Sequence, residues 1–155
     1  MAKFSRIALV FLAILLCFCD GNARTEPAGV SVGLLSLNPL RLHVVLRSGA
    51  NGRVAINRDQ LPWATRQSMV LAIVKADGQC LERVFPVEDG AVGRISLEPG
   101  ESLSGEVDLN GIFRGLDDAI KRSDVHLFWA YQAPPELNIG TWSGGWVLLP
   151  REKTN

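Results

Sequence analysis

The sequence has little of several things: 3 cysteines, 2 histidines, 1 tyrosine, and no surplus of charge, since 16 Lys+Arg stand against 16 Asp+Glu. Each shortage excludes something. A balanced charge leaves no electrostatic footprint for nucleic acid, and no Lys/Arg block marks a polybasic membrane patch. His43 and His126 are the only imidazoles. HExxH is absent and no Cys/His pair has zinc-ligand spacing, so a metal site would need ligands from distant strands. Gly90 and Gly93 lack the Lys-Ser/Thr and helix that a phosphate loop requires. The stretches around Ser102 and Ser143 each miss the G-x-S-x-G elbow by one position. The adjacent carboxylates Glu88-Asp89 and Asp117-Asp118 diverge on a strand or a helix, so adjacency makes no catalytic pair. These absences predict a non-enzymatic protein without a cofactor.

What is present starts with an apolar N-terminus. Of the first 23 residues, 17 are hydrophobic. Lys3 and Arg6 precede the uncharged run Ile7 to Phe18, which falls short of the roughly 20 residues of a spanning helix. Gly21 and Ala23 stand where a signal peptidase needs small residues. The expectation is a secretory signal peptide over residues 1–23 and an exported single domain over 24–155, with no transmembrane span in the mature protein. That domain would have 155 − 23 = 132 residues and a charge of 14 − 15 = −1. A lipid anchor at Cys19 competes with simple cleavage, but Leu16 and Phe18, not small residues, precede Cys17 and Cys19. Cleavage leaves Cys80 alone, read as a small buried apolar residue.

Beyond the leader, apolar residues recur mostly every second position in short runs divided by Gly, Pro, Asn and Asp. Leu103, Val107 and Leu109 alternate with Ser102, Ser104, Glu106 and Asp108. Leu42, Val44 and Leu46 alternate with Arg41, His43 and Arg47. Met69 to Lys75 and Cys80 to Phe85 flank Asp77-Gly78, predicting a tight type I′ hairpin. Further strands are expected at Val30 to Leu37, Ile95 to Leu97, Val125 to Tyr131 and Trp146 to Leu149, with a long loop from Pro134-Pro135. Ile112, Leu116 and Ile120 lie four apart, predicting a short helix over Ile112 to Arg122 with Asn110 as N-cap. The fold class is all-β: an Ig-like antiparallel β-sandwich of seven to nine strands with one short helix.

The segment Ile95 to Phe113, ISLEPGESLSGEVDLNGIF, resembles the β-sandwich domain that precedes the catalytic domain of deuterolysin and peptidyl-lysine metalloendopeptidases. Leu40 to Ile56 is similar to that domain's opening pair of strands. The resemblance spans about two thirds of the expected mature chain and implies an Ig-like fold. It implies no peptidase activity, because the zinc motif and catalytic domain have no counterpart here.

Tryptophan is the suggestive residue. Trp142 and Trp146 flank a Gly-rich stretch, and Trp63 follows the loop Asn57 to Pro62. In one reading Trp129 and Trp146 fill the core while Trp63 and Trp142 cap its ends. In the other, the loops bearing Trp63 and Trp142 bind a partner, with Arg58, Asp59 and Arg114 as charged contacts. The expectation is an exported domain of the bacterial cell envelope that binds a protein partner, as a periplasmic inhibitor or an immunity protein would. The alternative is a carbohydrate- or peptidoglycan-binding module that stacks sugars on exposed tryptophans.

Overall fold

A computed structural model describes residues 27–85 and 87–152. The expected leader, its cleavage point, and Cys17 and Cys19 lie outside the described residues. Eight strands form: β1 (Gly29–Leu37), β2 (Leu40–Arg47), β3 (Val54–Asn57), β4 (Val70–Lys75), β5 (Arg94–Leu97), β6 (Ser102–Asp108), β7 (Val125–Gln132) and β8 (Trp142–Leu149). The helix α1 spans Leu116–Arg122. The strands build three antiparallel sheets, β1-β2-β6, β3-β5 and β4-β7-β8. The result is the expected all-β, sandwich-like architecture.

Period-two alternation decides which side of each strand is buried. Leu40, Leu42, Val44 and Leu46 of β2 point inward, and so do Leu71 and Ile73 of β4 and Val125, Leu127, Trp129 and Tyr131 of β7. These side chains form one continuous core, joined by Ile56 of β3 and Leu97 of β5. Strand β1 runs beside β8, where the two larger sheets meet. At the other edge, on β6, Gly105 pairs with buried Val44 and so faces the core. A Cβ on Gly105 would sit 2.2 Å from the Trp63 indole, so the missing side chain is what lets that ring pack onto the β6 backbone.

Six local expectations need correction. The Asp77-Gly78 hairpin is not type I′, because Gly78 has a positive φ of 81° but Asp77 does not. Instead Ala76, Asp77 and Gly78 form a three-residue loop in which Gly78 N–H donates to Lys75 O and Lys75 N–H donates to Gln79 O. Its second arm never becomes a strand. Cys80 bridges to Val74, then the chain turns away and Arg83 bridges to Phe113. Cys80 itself is exposed, not buried, because the arm runs along the sheet's edge rather than under it.

The helix is one turn shorter than predicted. Gly115, in the left-handed region at φ 76°, stands at its N-cap. Asn110 does not cap it, and donates its backbone N–H to Asp108 Oδ1 (2.9 Å). Ile112 and Phe113 are nevertheless buried, so their apolar spacing reflects core contact without helix. Strand β8 begins four residues early, at Trp142, since Gly144 and Gly145 lie close against Trp129 and carry no side chain to obstruct pairing. The loop expected at Pro134-Pro135 contains a 3-10 turn at Pro135–Leu137 that buries Leu137.

Candidate binding surface

The outward positions of β4, β7 and β8 make an unusual surface. Register places Ala72 beside Phe128 beside Trp146, and Val70 beside Ala130 beside Gly144. Outside these rows, Val74, His126 and Leu148 form a third, and Gln132 pairs with Trp142 at the end. None of these positions is Lys, Arg, Asp or Glu. Trp146 is 60%, Trp142 58% and Phe128 45% exposed, and Val70 and Leu148 are exposed as well. His126 packs its ring against Trp146, with centroids 5.5 Å apart. This interaction holds the indole beside its neighbours.

The outer face of β1-β2-β6 is the opposite in character. Ser31, Val45 and Ser104 form one row there, and Gly33, His43 and Glu106 the next. Arg41 reaches across to Glu106 at 3.0 Å. His43 and His126 therefore stand on the outer faces of different sheets and share no site. Ser102 lies opposite Arg47 in β6, and Ser143 opposite Tyr131 in β8. Among the described residues, no group of three or more His, Cys, Asp and Glu is placed to hold a metal ion, and no helix is long and apolar enough to cross a membrane.

The five residues expected to contact a partner are dispersed. Trp142 lies on the apolar face. Trp63 is half-buried against Gly105 and lines a depression of about 380 Å³ with Arg66, Glu88, Glu106 and Asp108. Arg66 is paired with Glu88 there, side chain to side chain at 3.1 Å and backbone N–H to carboxylate at 2.7 Å. Arg58 and Asp59 are exposed on the 3-10 turn Arg58–Gln60, where Arg58 N–H donates to Gly93 O. Asp59 lines a separate depression beside Gln132 and Ser68. Arg114 is exposed and paired with Glu82 at 2.8 Å.

Sequence reasoning overlooked Phe128, Val70 and Leu148, and placed Trp146 in the core in one of its readings. A usable signal existed. VLAIV in β4, LFWAY in β7 and WVLL in β8 are nearly unbroken apolar runs, the pattern of strands covered on both faces. Beneath them Tyr131 donates its hydroxyl to Gln60 O at 2.6 Å, tying the 3-10 turn to β7. Burial raises the Tyr131 pKa from 10.0 to about 12.

In comparisons with known proteins, no family model matches the chain and no curated protein matches it.

Proposed function

We propose that the chain is an exported, non-enzymatic protein-binding domain of the bacterial cell envelope, and that it binds through the outer face of β4-β7-β8. The contrast between its outer faces carries this reading: one is polar and ion-paired, the other uncharged with Phe128, Trp142 and Trp146 in the open. Contiguous apolar patches above a few hundred Å² are rare on monomers and mark interaction sites. Aromatic residues also supply much of the binding energy at protein interfaces. A periplasmic inhibitor or an immunity protein is the kind of role that suits such a domain, by analogy.

Two tryptophans on one face favour the carbohydrate-binding alternative. A sugar platform, however, needs hydrogen-bonding groups beside the stacking rings. On this face His126 and Gln132 supply the polar side chains, which suits an apolar partner better.

Chemical cross-linking in the envelope of producing cells tests the reading. The wild-type chain should give a discrete adduct, Trp146→Glu and Phe128→Glu should lose it, and Arg114→Ala should keep it. An adduct unchanged in both Glu variants would remove this face as the binding site. A saturable change in tryptophan fluorescence with cell-wall fragments would favour the sugar-binding alternative. The intact mass of the exported protein should match a chain starting at Arg24, and one starting at an acylated Cys19 would replace simple cleavage with anchoring.

A further inference from the structure

We infer that the partner of this face is a second copy of the same chain, packed sheet to sheet about a twofold axis. The inference rests on the proposed binding role of the β4-β7-β8 face and names its occupant. Charge, area and shape argue for it.

A face that meets itself also meets its own charges, so self-association favours a surface with none. The outward positions of β4, β7 and β8 contain no Lys, Arg, Asp or Glu, whereas Arg41, Arg47 and Glu106 occupy the other outer face. The expected mature domain carries a formal charge of 14 − 15 = −1, so little long-range repulsion opposes approach of a second copy. The exposed Trp142, Trp146, Phe128, Val70 and Leu148 together offer roughly 600 Å² per copy, the lower end of the roughly 600–1,000 Å² per partner of a standard interface.

Shape follows from register. Phe128 and Trp146 are neighbours in one row, and Ala130 and Gly144 occupy the next. A twofold axis lying in the interface, across the strands and between these rows, sets Phe128 over the partner subunit's Ala130 and Trp146 over the partner subunit's Gly144. Bulk then meets a gap on both halves, as an isologous contact requires. Sheets stacked in this way keep their strands within about 30° of each other. An anionic lipid surface fits less well, because it attracts Lys and Arg, and this face has neither.

Sedimentation of the purified exported protein tests the inference, in reductant so that Cys80 cannot cross-link. The wild-type protein should sediment as a dimer that dissociates on dilution. Trp146→Glu and Phe128→Glu should each weaken association roughly 100-fold while leaving circular dichroism and melting temperature near wild type. Ser104→Glu, on the opposite outer face, should keep the dimer. Where an added charge disturbs folding, Trp146→Ser removes the ring alone and should still weaken the dimer.

A dimer that survives Trp146→Glu and Phe128→Glu overturns the inference. So does a monomer at every concentration. If that monomer still gives a Trp146-dependent adduct in the envelope, the occupant is a different protein and the binding role of the face stands. If the adduct is missing too, both fail. Trp146-dependent co-sedimentation of a monomer with phosphatidylethanolamine and phosphatidylglycerol vesicles would instead assign the face to a lipid surface.

Discussion

Three single residues make the clearest claims about this protein. Gly105 is set by contact: any Cβ there would fall within 2.4 Å of three indole atoms of Trp63. Gly105→Ala should cost about 1–3 kcal/mol, as overpacking does, with a shift in tryptophan emission, both measurable by chemical denaturation. Tyr131 gives a pH signature. Its folded-state pKa lies above its ordinary value of 10.0, at about 12, because burial disfavours the phenolate. The stabilisation is therefore complete below pH 10 and is lost as pH rises toward about 12. Tyr131→Phe should flatten that alkaline decline and, by deleting the bond to Gln60 O, lower stability at neutral pH by about 1 kcal/mol. Cys80 is exposed and should react with a thiol reagent in the folded protein without denaturant. Protection until unfolding would contradict its position.

At the scale of elements, β7 serves two surfaces at once. Its inward side chains Val125, Leu127, Trp129 and Tyr131 are buried, while His126 and Phe128 between them are exposed. Substitution on the two sides should therefore differ in kind. Leu127→Ala should destabilise by about 2–5 kcal/mol, since it removes packed volume from the core. Trp146→Ser on the neighbouring strand should cost less than about 1 kcal/mol, the worth of a cross-strand pair. Urea denaturation of the two variants checks the contrast, and equal losses would mean that the outer face is part of the folding core. The strands themselves were readable from alternation, most clearly β2 and β6, because a half-buried strand writes its two environments into consecutive residues. The hairpin type, the start of the helix and the beginning of β8 were not. Each depends on a small residue: Gly78 in the loop and Gly115 before α1 adopt positive φ values of 81° and 76° with open space around them, and Gly144 and Gly145 lie close against Trp129.

For the whole molecule, a single core cluster joins all three sheets and the helix, and Cys80 is the one free cysteine of the described residues. Unfolding should therefore be a single cooperative transition, coincident by fluorescence and circular dichroism and unchanged by reductant. Separate transitions would divide the chain into independent units. The proposed binding surface was only half legible in advance. Trp142 is on it, whereas Trp63 packs onto Gly105 and Arg114 is held by Glu82. Nothing in their sequence neighbourhoods distinguishes these cases. An aromatic in a loop looks the same whether a glycine on another strand receives it or solvent does.

Local pattern, by itself, determined that this is an all-β chain built from short antiparallel strands with one brief helix, since side-chain polarity follows strand and helix periods directly. The nearly unbroken apolar runs of β4, β7 and β8 also carried a signal, overlooked beside the alternation, that one sheet has apolar side chains on both faces. The tertiary structure decided which of those faces the domain covers for itself. Leu71, Ile73, Leu127 and Trp129 are buried in the core cluster that also holds Leu42, Val44 and Leu46 of β2, while Phe128, Trp142 and Trp146 remain outside. That choice is set by the register among strands far apart in sequence, and a shift of one residue would exchange the two sets.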